Sequence, residues 1–301
     1  MKKILFFILF FTLILSSIGI AGQITIFHAG SLSVPFKYLT QAYMKTHKNI
    51  KFALESSGSV AAIRKITELG KPADILASAD ASIIGKMMFP KYTTWYKEFA
   101  TNQMVIAYRK DAPFSNEINK DNWFEILLKK DIEYGHSDPN MDPCGYRTLI
   151  LWKLSEIYYK RPGLYDLLTK GCPKKNIRPK AVSLIALLES KNLDYVFEYK
   201  SVAIQHHLKY IELPEAINLG NIKYKEFYKK VWVEIIGNKP GTKIKIKGAP
   251  IVYGITIPLV SKNKSEAEDF LSFILSKKGQ KIIKSTGQEP IDPPNTIRYE
   301  K

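Results

Sequence analysis

Two dipeptides, Gly30-Ser31 and Gly58-Ser59, stand where a run of strand-forming residues gives way to a helical stripe, a placement suited to gripping an anion. A helix start leaves amide hydrogens unpaired and carries partial positive charge. Serine adds a hydroxyl donor, and glycine lets a ligand approach the backbone closely. Each turn alone serves equally well as a plain helix cap, so it is the repetition that points to binding. The loop 137–147 is richer. Pro139 and Pro143 stiffen it, Gly145 permits close approach, and the amides of Cys144 and Gly145 fall at the next helix start. Asp138 and Asp142 lie in the same loop, and a further acid, Glu198, sits at a fourth turn, so carboxylates that repel a simple anion stand among groups that attract one. Other polar residues carry blander readings. Adjacent His206 and His207 point apart on a helix and make a poor metal pair. His28 reads as a packing residue, Asp80 as a cap or hinge partner, and Tyr199 as either a hydrogen-bonding neighbour of a ligand or a core residue.

Positioning these groups takes a recurring unit of strand, small-residue turn and helix. Residues 24–27 read as a strand, and after the first turn Leu32, Phe36, Leu39 and Tyr43 form one apolar stripe. Ile50, Phe52 and Leu54 alternate as a half-buried strand, 56–59 make the turn, and Val60, Ile63 and Ile66 begin the next stripe. A third unit runs through 132–135, the loop 137–145, and Tyr146, Ile150, Leu154 and Ile157 in helical register. A fourth uses 195–199 and turns at Lys200-Ser201 into Val202. This alternation predicts an α/β protein with mostly parallel sheets and ligands outside the carboxyl ends of the strands. Near the end, 251–257 reads as a strand, Ser265 and Glu268 as a capping box, and the proline-rich tail as extended chain.

The first 22 residues read as an export signal, with Lys2 and Lys3, an apolar run, and small residues before Gly22. The run is shorter than the ~20 residues of a spanning helix, which favours a cleaved signal over a retained anchor. The mature chain is then expected outside the cytoplasm, in the periplasm or its equivalent. The about 280 residues left exceed what one core serves, so two lobes are expected. The formal charge of +17 drops by two when Lys2 and Lys3 are removed and still draws anions. Lysines are spread along the chain without interleaved aromatics, which excludes a nucleic-acid reader. Cys144 and Cys172 are the only cysteines; the sequence leaves open either a disulfide or a buried thiol at Cys144 with a surface thiol at Cys172.

Taken together, His28-Ala29-Gly30-Ser31-Leu32, Gly58-Ser59-Val60, the loop from Ser137-Asp138-Pro139-Asn140 to Cys144-Gly145-Tyr146-Arg147, and Tyr199-Lys200-Ser201-Val202-Ala203 resemble the tungstate/molybdate-binding subunit of tungstate and molybdate import systems. The likeness covers nearly all of the mature chain, in order. It implies a periplasmic-binding-protein fold of type II, in which each lobe is a mixed, mostly parallel sheet flanked by helices and the ligand lies in the cleft. By motif, the lobes are 23–103 with 251–301, and 104–250, joined by strands at 101–108 and 251–257. The resemblance places Ser31 and Ser59 on one lobe as hydroxyl and amide donors, and Asp142 and Glu198 on the other as carboxylates completing six-fold coordination of the metal centre. Cys144, Gly145 and Tyr199 join the ligand-binding set. Large hexavalent tungsten or molybdenum accepts added hard oxygen donors, whereas sulfur and phosphorus do not, so the acids reward one anion and oppose the other. The implied protein is a monomer without catalytic residues or cofactor; its partners are a membrane permease and ATPase. Rival readings are a binder of sulfate, phosphate or ferric iron, and a two-lobed transferase using Cys144.

Overall fold

The computed structural model describes residues 22–237 and 241–300. The export signal expected at 1–22 lies outside the described residues except for Gly22, which begins the first strand. No helix among the described residues is long and apolar enough to cross a membrane.

One sheet holds β1 (Gly22–Ala29), β2 (Ile50–Ser57), β3 (Ile75–Ser78), β4 (Trp95–Thr101), β12 (Val252–Thr256) and β13 (Glu289–Arg298), in the order β13-β4-β12-β3-β1-β2. The second holds β5 (Met104–Tyr108), β6 (Tyr134–Ser137), β7 (Ile177–Arg178), β8 (Tyr195–Tyr199) and β9 (Lys209–Glu212), in the order β7-β6-β8-β5-β9. A separate antiparallel ribbon pairs β10 (Trp232–Ile236) with β11 (Lys243–Lys247). Helices α1 (Ser33–Met44), α2 (Ser59–Thr67) and α3 (Ala81–Met88) follow β1, β2 and β3. Around the second sheet lie α4 (Trp123–Leu127), α5 (Pro143–Tyr158), α6 (Leu164–Gly171), α7 (Ser183–Glu189), α8 (Lys200–Gln205) and α9 (Lys225–Tyr228). Finally α10 (Lys264–Leu275) and α11 (Lys277–Ser285) return to the first sheet.

Both sheets are mixed, and their parallel part is smaller than the strand-helix alternation predicts. Strands followed by a helix pair in parallel, as β2, β1 and β3 do in one sheet and β7, β6 and β8 in the other. Strands that arrive from the opposite sheet or from the chain end are antiparallel: β12 against β3 and β4, β13 against β4, and β5 against β8 and β9. The connecting segment expected over 101–108 is two strands, β4 and β5, broken at Asn102 and Gln103. Asn102 makes the break: its Oδ1 accepts from the Gln103 amide at 2.9 Å, and its Nδ2 donates to Ser201 Oγ at 2.7 Å and Tyr253 Oη at 3.0 Å.

The apolar stripes mostly bury as their periodicity predicts. Leu32, Phe36, Leu39 and Tyr43 are all in the core, as are Tyr146, Ile150 and Leu154 of α5; each such side chain contributes roughly 1.5–3 kcal/mol on leaving water. Ile157 and Leu54 do not follow, being 43% and 40% exposed, because one lies in the last turn of α5 and the other on the outermost strand of its sheet. Ser265 is not a cap. Helix α10 starts at Lys264 behind Asn263, whose side chain is drawn instead to Asp74 and the Gln23 carbonyl. The tail Glu289–Arg298 is an edge strand, the place where a sheet tolerates proline.

Candidate functional site

The turns that begin α1, α2, α5 and α8 converge. Gly58 is the tightest point: a Cβ there would lie 2.2 Å from the Met141 carbonyl oxygen and 2.9 Å from the Asp142 Cβ. Only glycine lets the Ser59 turn of the first sheet press against the Asp142 loop of the second. The Ala61 amide donates to the Met141 carbonyl at 3.1 Å and fixes that contact. On the other side Gly30 packs against Val182, whose neighbour Ala181 donates its amide to Asp142 Oδ2 at 2.7 Å. Ser31, Ser59, Asp142 and Glu198 are thereby enclosed, all buried, between elements of the two sheets.

Asp142 is the N-cap of α5, followed by Pro143 at the first helical position, where a missing amide hydrogen is harmless. Its Oδ1 accepts from the Cys144 amide at 3.4 Å. Burial raises its carboxyl to about 6, against the restraining effect of the Ala181 and Cys144 amides. Glu198, on β8, is fully buried. Its Oε2 receives the Cys144 thiol, at 3.6 Å, and its Oε1 has no hydrogen-bond partner among the described residues. Burial first, and the Asp142 charge second, push the Glu198 carboxyl well above the usual range. Two buried carboxyls thus lie close enough to act on one another, and one oxygen lacks any donor among the described residues, whereas buried oxygens are nearly always partnered. Among the described residues, no group of three or more histidine, cysteine, aspartate and glutamate side chains is set to hold a bare metal ion. A pair of acids with a free oxygen suits a centre that already carries oxygens and accepts one or two more.

The remaining expected residues take different places. Ser59 Oγ accepts from the Ala79 amide at 2.9 Å, and Ser31 Oγ shares a 2.9 Å hydrogen bond with Tyr253 Oη. Cys144 lies at the centre, with its thiol between the Phe197 carbonyl and Glu198. Burial, then the charges of Glu198 and Asp142, hold that thiol well above its usual range, so it is a poor nucleophile. Gly145 has a packing role: its amide donates to the Asp142 carbonyl at 3.0 Å, and a Cβ would meet the Ser137 carbonyl at 2.1 Å. Tyr199 does not reach the acids through its hydroxyl, which accepts from Arg147 Nη1 at 2.8 Å. Cys144 and Cys172 are both free and both buried; the Cys172 thiol donates to the Tyr134 carbonyl rather than facing solvent. His28 stacks on Phe36 with centroids 5.4 Å apart, and burial lowers it to about 4, leaving it a neutral packing residue.

Sequence reasoning gave Asp80 the place of a cap or hinge partner but gave no role to Arg147 and Tyr146, which join it in a clasp that spans the two sheets. Arg147 of α5 donates to the Ala79 carbonyl at 2.6 Å and pairs with Asp80 at 3.4 Å, while Tyr146 donates to Asp80 at 2.5 Å. Burial pushes the Asp80 carboxyl up, but the Arg147 charge, the Tyr146 hydroxyl and the Ser82 amide together hold it below the usual range. Asp80 also caps α3 through the Ser82 amide at 2.8 Å. A second network joins Ser31 to the break between β4 and β5: Tyr253 contacts both Ser31 and Asn102, and Gln288 donates to the Ser31 carbonyl and to Ser201. Arg147 stands inside the loop motif, so its position was visible; Tyr253 and Gln288 are more than two hundred residues from Ser31 and carry no local signal.

Residues 24–289 match the family described as bacterial extracellular solute-binding protein. The chain belongs to that family. A molybdate/tungstate-binding protein, WtpA, of Pyrococcus abyssi is 43% identical over 299 residues, covering 91% of this chain and 86% of its own length. An uncharacterised solute-binding protein of Petrotoga mobilis is 49% identical, over 99% of this chain and 92% of its own. Among solved structures, the periplasmic molybdate-binding protein of Azotobacter vinelandii shares the fold, with a TM-score of 0.62 at 19% identity, covering 88% of this chain and 98% of that one. The architecture is therefore the two-lobed α/β fold of periplasmic binding proteins, as expected from the sequence.

Proposed function

We propose that this member of the solute-binding family captures tungstate or molybdate between its two lobes outside the cytoplasm and delivers it, without chemical change, to a membrane permease and ATPase. The observation that carries the reading is Glu198, a buried carboxylate with an unpartnered oxygen set beside buried Asp142. Sulfate or phosphate there is repelled by the acids when they are ionised and gains no bond from them, because their central atoms accept no further oxygen. Tungsten and molybdenum do accept it, and the two acids then become ligands. Ser31 and Ser59 contribute hydroxyls from the first lobe, assigned to 23–103 with 251–301, and the acids come from the second, assigned to 104–250. Similarity to the WtpA proteins supports the same ligand. The protein works as a monomer and needs no cofactor, with Cys144 kept as an inert thiol.

The test is calorimetric titration with tungstate, molybdate, sulfate and phosphate, followed by X-ray absorption of the bound metal. Tight binding of the first two, with six oxygens around the metal falling to four in the Asp142→Ala, Glu198→Ala double variant, is the expected result. Tight binding of sulfate or phosphate instead, or an unchanged absorption spectrum in the double variant, refutes it.

A further inference from the structure

Beyond the buried site, a groove of about 380 Å³ is lined by Lys86, Lys229, Lys245 and Lys247 together with Ser82, Gly248 and Ala249. Lys86 comes from α3, in the segment assigned to the first lobe, and the other three from the end of α9 and from β11, in the segment assigned to the second. All four are exposed. Lys229 pairs with Glu226 at 2.7 Å, but among the described residues Lys86, Lys245 and Lys247 have no carboxylate within ion-pair distance. The alternation of β11 explains the arrangement: Ile244 and Ile246 turn toward the core and leave Lys245 and Lys247 on the solvent face. The groove does not end there. Ser82, Lys247 and Ala249 also wall a second cavity of about 300 Å³, which runs on to Asp80, Tyr146 and Arg147. Glu98 and Lys225 line that cavity as well. Its inner wall is the clasp between the lobes, and Arg147 touches Tyr199, the residue after Glu198.

We infer that this lysine groove is the approach route of the oxyanion, concentrating a dianion at the cleft mouth and passing it toward the clasp. The inference rests on the tungstate/molybdate reading. Like charges from both lobes meet across one gap, so the groove opposes closure until an anion enters, and its field acts on arrival rather than on the buried complex. Clefts lined by one sign of charge raise association rates by roughly 10 to 1,000-fold, and added salt removes the effect as the screening length shrinks to a few Å.

The test compares stopped-flow association and dissociation of molybdate for three proteins: the natural chain, the triple variant K86Q/K245Q/K247Q, and a control, K37Q/K48Q/K281Q. The control removes the same charge from exposed lysines elsewhere. The expected result is an association rate about tenfold lower in the groove variant at low salt, a gap that closes near 0.5 M salt, and dissociation within about twofold of the natural chain. An unchanged association rate overturns the proposal, as does an equal loss in the control, which would assign the effect to net charge. If the natural chain binds no molybdate or tungstate, the underlying ligand reading fails, an outcome separate from a natural chain that binds but shows no groove effect.

Discussion

The proposed ligation of the oxyanion by the two buried acids makes its affinity depend on pH in a defined direction. A carboxyl bonds to a metal centre through an ionised oxygen, so protons compete with the ligand for Asp142 and Glu198. Asp142 is raised from 3.8 to about 6 in the ligand-free protein. Protonation of this one group weakens binding by a factor of about ten on going from pH 7 to pH 5. Glu198, raised well above 4.5, steepens the loss below its own value. At pH 6, Asp142 gives up about half a proton per anion bound, and Glu198 adds to it. The stability of the ligand-free protein runs the other way. Both acids have raised folded-state values, so their stabilising contribution is complete below their unfolded values and is lost as pH rises through the folded ones. For Asp142 that loss falls between 3.8 and about 6 and amounts to about 3 kcal/mol. Titration calorimetry at pH 5, 6, 7 and 8 with micromolar anion, repeated in buffers of different ionisation enthalpy, measures both the affinity and the proton count. The Glu198→Gln, Asp142→Asn protein should show weak and pH-independent binding. A flat affinity from pH 8 to pH 5 in the natural chain, with heats independent of buffer, refutes the placement of two ionised carboxylates on the metal.

Two further substitutions probe the contacts between lobes. Gly58→Ala places a methyl where the Met141 carbonyl lies and holds the Ser59 turn away from the Asp142 loop; anion affinity should fall at least a hundredfold while the melting temperature of the ligand-free protein moves by less than about 3 °C. Small-angle scattering should then show the variant remaining open when anion is added. Asp80→Asn keeps the cap on Ser82 but leaves the Arg147 charge unpaired in the closed cleft, a cost of about 3–5 kcal/mol. Because Arg147 regains water when the lobes part, the loss should appear as a Kd raised about a hundredfold or more; a fall in unfolding free energy of that size with unchanged Kd would make the pair a structural one.

Local patterns revealed the parts of this protein that are local. The turns at Gly30-Ser31 and Gly58-Ser59, the cap-and-proline start of α5 at Asp142, and the stripes of α1 and α5 all depend on residues within a few positions of one another. What the sequence concealed is set by partners far along the chain. Helix α10 starts at Lys264, ahead of Ser265, because Asp74 receives both the amide and the side chain of Asn263. The break at Asn102 depends on Ser201 and Tyr253. Gly145 and Tyr199 stand in the same motifs as Asp142 and Glu198, and motif alone does not show that Gly145 packs against the Ser137 carbonyl or that the Tyr199 hydroxyl accepts from Arg147.

Strand β12 lies in the middle of the first sheet, between β3 and β4, although it is among the last segments to be made. A polypeptide made amino end first therefore cannot finish its first sheet until the final about fifty residues have emerged. Until then β3 presents one unpaired side and β4 two, because β13 is made with the same residues, and both strands are open to sticking to their neighbours. Cutting the polypeptide short by those residues removes an interior slat of the sheet, so damage at the carboxyl end should be as disabling as damage at the beginning.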